Sequence, residues 1–291
     1  MSRTPSLSRA LHAAGMLLAI AGVVFVVQRV LDESAQIDFR RLDATIWSAI
    51  ALLAAGYGLA NGLLAVAWWN LLHACGLRQS RRWAVQVYGI SQIAKYVPGN
   101  ITHLVGRHVL GMAASLPGWV LAKATVYEIG LMAVAGGLFG VLLLTLVPVG
   151  VSGEVSVGLF VGACVAGVGF SWSVLGRQWA WAFLLQVLFL AVSGLVFVIL
   201  VGMLAGDVGG LKAAAVVGAY VLAWLAGLLT PGAPAGIGIR ETVLLFLLAG
   251  IVNEADLLLA VVLGRLVTVG GDFGFFAWAL LDRGGAGSDA S

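Results

Sequence analysis

From about residue 11 to residue 281 the chain is a succession of apolar runs, most of 20 residues or more, without strict apolar–polar alternation. About 20 apolar residues is the length at which a helix crosses the hydrocarbon core of a bilayer. In lipid every backbone N–H and C=O must be satisfied within the protein, so continuous apolar runs specify helices, whereas a membrane β-barrel requires alternation. The composition agrees. Of 291 residues, 61% are hydrophobic and only 10% are charged, against about 25% in soluble domains. The mean hydropathy is +1.05. No water-soluble fold of this length could hide so much apolar surface. That excludes an ordinary soluble enzyme and a disordered chain. A nucleic-acid-binding domain is excluded as well, because the net charge is only +3 and no basic stripe is present. Cys75 and Cys164 lie far apart in apolar surroundings and give neither metal-ligand spacing nor a disulfide framework.

The expected fold is all-α, a polytopic integral membrane helical bundle of about seven spans plus two broken segments. Span 1 covers about 11–30 and span 2 about 46–72. A first odd segment covers 84–115. Span 3 follows at 118–147, span 4 at 155–175, span 5 at 178–204 and span 6 at 211–230. A second odd segment covers 231–252, and span 7 covers 255–281. Residues 1–281 read as one transmembrane domain, and 282–291, rich in Gly, Ser and Asp, as a disordered tail. Span 1 is too long and lacks the small-residue site of a signal peptide, so it is expected to stay in place. Lys/Arg counts favour the N-terminus inside: Arg3, Arg9, Arg78, Arg81, Arg82 and Arg177 on that side against Arg29, Arg40, Arg41 and Lys212 on the other. Trp68, Trp69, Trp83 and Trp119, near span ends, are expected in the interfacial belt.

The odd segments carry the chemistry. Lys95-Tyr96-Val97-Pro98-Gly99-Asn100 precedes Ile101-Thr102-His103-Leu104-Val105-Gly106-Arg107-His108. Pro98 removes a donor and Gly99 permits a sharp turn, so a helix should break there. Asn100 can cap a half-helix on which His103 and Arg107, at i and i+4, share a face. Pro231-Gly232 with Gly236-Ile237-Gly238-Ile239-Arg240-Glu241 repeats the punctuation. Pro98 to Arg107 and Pro231 to Arg240 are both nine positions, and each segment leads into a charged span, Lys123 and Glu128 in one, Arg265 and Asp272 in the other. The pattern is a degenerate internal repeat of a broken or re-entrant helix plus a charged span. Paired Gly/Pro-interrupted segments point to a transporter binding site. Gly236-x-Gly238 lacks the third glycine and preceding strand of a dinucleotide site.

Ionisable groups inside a membrane are costly and mark function by default. Lys95, Arg107, Lys123, Arg240 and Arg265 are positive; Glu128, Glu241 and Asp272 are negative, leaving two cations in excess. Arginine forks and half-helix N-termini suit an anionic headgroup such as phosphate. Structural pairing is the competing role for each: Lys123, Glu128 and Asp272 are expected as buried charge partners, with Glu128 paired to Lys123 or to an arginine elsewhere. No third ligand joins His103 and His108, so no metal site is expected, and without a Walker motif no ATP or other cofactor is implied.

The two motifs together resemble the lysylphosphatidylglycerol synthase transmembrane-region family, over nearly the whole chain. The resemblance implies a flippase-like bundle in the bacterial cytoplasmic (inner) membrane that binds or translocates a phospholipid or other anionic lipid. Carried over residue by residue, Lys95, Tyr96, Pro98, Gly99, Asn100 and Arg107 fall on the first motif, and Pro231, Gly232, Gly238, Arg240 and Glu241 on the second. The candidate substrate contacts are therefore Lys95, Tyr96, Asn100, His103, Arg107, Arg240, Glu241 and Arg265, with Pro98, Gly99, Pro231, Gly232 and Gly238 as turn residues. Ala233-Pro234-Ala235 departs from a glycine-rich turn, and the 291 residues hold no soluble aminoacyl-transferase domain, so lysyl transfer is not expected. A transporter is expected rather than an enzyme, because the interfacial acids are scattered and no Asp-x-Asp or His/Asp cluster occurs. A scaffold for another membrane protein, or a second copy of the chain as partner, stays open from sequence.

Overall fold

A computed structural model describes residues 43–96, 102–146, 151–206, 209–230, 236 and 238–285. Among the described residues the fold is all-helical: α1 (Ala44–Ala74), α2 (Arg81–Gln92) with a 3₁₀ turn Ile93–Tyr96, α3 (Thr102–Ala113), α4 (Gly118–Leu138) prolonged by a 3₁₀ stretch Phe139–Leu146, α5 (Gly153–Phe170) with a π turn Ser171–Leu175, α6 (Arg177–Ala205), α7 (Gly210–Leu229), α8 (Ile239–Leu247) and α9 (Glu254–Gly285). Among the described residues, six stretches are long and apolar enough to cross a membrane: Ala44–Ala74, Gly118–Leu146, Gly153–Leu175, Arg177–Ala205, Lys212–Leu229 and Glu254–Asp282. They correspond to spans 2 to 7. Span 1, Pro98, Gly99, Asn100, Pro231 and Gly232 lie outside the described residues, as do the N-terminal charges used for orientation.

Local chemistry sets the ends. Asp43 caps α1 by accepting from Ile46 N–H at 2.9 Å, and Ser80 caps α2 by accepting from Trp83 N–H at 3.2 Å. The disordered tail expected from residue 282 is corrected at its start: α9 runs on to Gly285. Asp282 holds it there, accepting from Arg82 Nε at 3.0 Å, from Arg82 Nη2 at 2.9 Å and from Gln86 Nε2 at 2.5 Å.

The centre is the packing of α1 against α6 and α9. Helices approach closely where side chains vanish. A Cβ on Gly58 of α1 would lie 2.9 Å from the Gly271 carbonyl oxygen of α9, and one on Gly271 would lie 2.6 Å from that of Ala54. The two backbones therefore touch, next to Asp272.

The short helices form two hairpins against this centre. Gly106 of α3 faces Ser91 of α2, and Arg107 faces Tyr88, so α3 folds back along α2. Gly236 meets Gly227 of α7, and Arg240 of α8 meets Tyr220, so α8 folds back along α7. The α2–α3 hairpin opens toward the C-terminal end of α9, where Arg82 holds Asp282. Helix α8 runs the other way, to the turn that starts α9. With 12 residues in α3 and 9 in α8, these helices are about 18 and 14 Å long, roughly half a bilayer core.

Candidate functional site

The hairpins and spans enclose a cavity of about 770 Å³, its open mouth included. Lys95, His103, Arg107, Glu128, Arg240 and Arg265 line it. Both halves of the repeat thus contribute to one space. Leu104, Ile129, Met132 and Trp224 supply apolar wall. Of the candidate contacts, Glu241 stands behind the wall rather than on it, and Asn100 and the Tyr96 side chain lie outside the described residues.

Helices α3 and α4 position the first charged pair. Arg107 Nη1 donates to both oxygens of Glu128, at 2.9 and 2.8 Å, and both side chains are buried. The guanidinium lies 4.2 Å from the Tyr88 ring centroid and 5.6 Å from that of Trp68. Tyr88 O–H donates to Glu128 at 3.2 Å. Trp68 is 1% exposed, which corrects its assignment to the interfacial belt: it packs on Trp83 and Tyr88 beside the cation. Lys123, expected as a buried partner, is corrected too. It is exposed, its ammonium 5.5 Å from the Tyr127 ring centroid.

The second pair uses α8 and α9 with the signs exchanged. Glu241 Oε1 accepts from Arg265 Nε at 2.7 Å, with Nη2 at 2.6 Å. Its Oε2 accepts from the Gly238 N–H at 2.7 Å. Glu241 thus caps α8 from within its first turn and ties it to α9. Gly238 has φ +85° and Gly236 φ +70°, a backbone region that glycine tolerates and other residues rarely adopt. Gly236 is buried against α7, where a Cβ would come within 2.8 Å of Gly227 Cα.

A third pair joins the halves. Lys95, at the end of the α2 segment, lies 2.5 Å from Asp272 Oδ2 of α9. Asp272 is fully buried, and its Oδ1 accepts from Asn61 Nδ2 at 2.9 Å. Arg265 and Asp272, seven residues apart on one helix, therefore serve different partners.

Arg240 is different. Its Nη2 donates to the Tyr220 hydroxyl at 2.8 Å, and its Cζ lies 5.2 Å from that ring centroid. Tyr220 is held by stacking on Phe197 at 4.8 Å. Among the described residues, Arg240 is the one cavity cation without a carboxylate at ion-pair distance. His103 is 8% exposed, and its buried Nδ1 has no hydrogen-bond partner among the described residues.

Tyr88, Tyr220 and Asn61 were not singled out from sequence. Asn61 and Tyr220 lie mid-way along apolar helices and Tyr88 on the buried face of the short α2, and a buried phenol or amide must find a partner. No family model matches the chain, and no curated protein matches it.

Proposed function

We propose that this chain binds an anionic or amphipathic lipid in the cavity and moves it between the leaflets of a bilayer. One observation carries this most: cationic side chains from both halves, Lys95, Arg107, Arg240 and Arg265, line a single cavity that also has an apolar wall. A headgroup needs the cations and an acyl chain needs the apolar wall. In this proposal span 1 adds a seventh span to the six, the broken segments that carry α3 and α8 are re-entrant, and the half-helix N-termini of α3 and α8 direct positive dipole ends to mid-membrane. Similarity of the two Pro-Gly motifs to the lysylphosphatidylglycerol synthase transmembrane region supports the same function, a bacterial inner-membrane location with the N-terminus inside, and transport rather than covalent chemistry. Lipid and bilayer are then the partners.

Leaflet exchange in liposomes tests the proposal. Vesicles with the purified full chain should exchange fluorescent anionic lipid faster than protein-free vesicles and faster than they exchange zwitterionic lipid. Arg240→Ala should remove the difference. Folded protein that exchanges no lipid in either direction, with or without a proton gradient, overturns transport and favours a scaffold.

A further inference from the structure

We infer that the cavity is built for a single singly charged oxyanion, of the phosphodiester class, gripped by Arg240 and His103. The inference rests on the lipid-handling proposal above and adds the charge of the guest and the residues that hold it.

The charge balance comes first. Lys95, Arg107 and Arg265 each have a carboxylate within 2.5 to 2.8 Å, in Asp272, Glu128 and Glu241. Among the described residues of the site, Arg240 is the remaining full charge. The undescribed residues at the breaks, 97–101, 231–235 and 237, contain no ionisable side chain, so they leave this balance as it stands. A monoanion therefore brings the site to neutrality. A dianion would leave one negative charge uncompensated in a region of low dielectric, where unpaired charge is penalised most. A zwitterion brings a cation for which no acid lining the site is spare among the described residues.

Hydrogen-bonding capacity agrees. Arg240 gives one Nη2 N–H to Tyr220, which leaves Nε–H, both Nη1 N–H groups and the second Nη2 N–H to donate to the oxygens of a phosphate. Buried polar groups are almost always partnered, yet among the described residues the His103 Nδ1 has no hydrogen-bond partner. A neutral imidazole protonated at Nδ1 donates to an oxyanion. Arg107 is excluded as a ligand, because one nitrogen already serves both oxygens of Glu128 and the ring faces of Tyr88 and Trp68 cover it.

The test is equilibrium binding to the purified full chain in detergent, read by intrinsic fluorescence, with Trp224 in the cavity wall. Four probes are compared at pH 8: phosphatidylglycerol, a singly charged diester; phosphatidate, a monoester whose second ionisation gives it more negative charge than the diester; phosphatidylcholine; and dimethyl phosphate, a diester without acyl chains. Phosphatidylglycerol should bind at least about ten-fold more tightly than phosphatidate or phosphatidylcholine, the loss expected when a charged hydrogen bond is left unmatched. Arg240→Gln should lower its affinity by about ten-fold or more and abolish the preference. Arg240→Lys, which keeps the charge and loses the fork, should lower affinity but retain the preference for the monoanion. Competition by dimethyl phosphate would support a site for the free oxyanion; its absence beside tight phosphatidylglycerol binding would support a lipid-borne one. Equal or tighter binding of phosphatidate by the wild-type chain overturns the inference without recourse to any variant, and so does an unchanged affinity in folded Arg240→Gln. A chain that shows the preference but exchanges no lipid in vesicles keeps this inference and loses transport; the converse result keeps transport and removes the charge rule.

Discussion

The two broken segments carry arginines at matched positions, and those arginines do different work. In the first half the short helix α3 supplies the cation, Arg107, and the following span supplies the acid, Glu128. In the second half the short helix α8 supplies the acid, Glu241, and the span supplies the cation, Arg265. The exchange of signs satisfies each pair and leaves Arg240, the residue that matches Arg107 in spacing, with the Tyr220 phenol and, among the described residues, no carboxylate at ion-pair distance. Matched sequence spacing therefore marks equivalent places in the backbone and not equivalent roles. The half in which the short helix carries both an acid and an arginine is the half with a charge to offer.

Removing Glu128 is the strongest way to break the comparison. A buried ion pair that loses one partner leaves an uncompensated charge, typically a loss of about 3–5 kcal/mol. Glu128→Ala should fall in that range in reversible denaturant unfolding in micelles, while Arg107→Met with Glu128→Leu should recover most of it. If Glu128→Ala costs less than about 1 kcal/mol, Arg107 is not a fixed structural cation and the contrast with Arg240 collapses. Gly236→Ala comes next. Its φ of +70° and the 2.8 Å approach of a Cβ to Gly227 Cα are both backbone constraints, so no side chain can yield. A loss of about 1–3 kcal/mol is expected by the same unfolding measurement. Gly130, with nothing within 4 Å of its Cβ, should tolerate alanine without loss, and equal losses at the two sites would remove the argument for a tight second break.

Much of this architecture is legible in the sequence, and the limit lies at the pairings. Unbroken runs such as Ala180 to Leu204 can satisfy their backbone in lipid only as helices, and six of the seven expected spans correspond to helices whose ends fall within about two residues of those assigned. The breaks were legible because Pro-Gly interrupts otherwise apolar sequence. Which charge meets which was not. Lys123 is five residues before Glu128, and five residues on a helix place side chains about 140° apart, so the nearest opposite charge in sequence points away while Arg107 arrives from another helix. Trp68 looked interfacial from its neighbours in sequence, yet the close packing of α1, α2 and α3 buries it beside Arg107. Glu241 is a candidate ligand through the second motif; that its first-turn place in α8 commits one oxygen to the Gly238 N–H and the other to Arg265 was not legible there. These outcomes depend on contacts between distant segments, which spacing along one helix does not encode.

The smallest expected effect sharpens the comparison most. Tyr88 and Tyr220 are the two phenols beside the two arginines, one over Arg107 at 4.2 Å and the other bonded to Arg240 at 2.8 Å. Replacing either hydroxyl removes one net hydrogen bond, worth about 1 kcal/mol. Tyr88→Phe should cost that much stability and leave oxyanion affinity unchanged, because Arg107 stays bound to Glu128. Tyr220→Phe should cost a similar amount, but it frees Nη2 of the arginine that faces the guest, so monoanion affinity should hold or rise. Measuring both variants by unfolding and by phosphatidylglycerol binding separates the roles. Should Tyr220→Phe destabilise the fold as much as Glu128→Ala, the phenol would be the essential counterpart of Arg240, and both arginines would be structural. Should affinity rise in Tyr220→Phe alone, the asymmetry between the halves is functional, because only there does a cation exchange a protein partner for an external one.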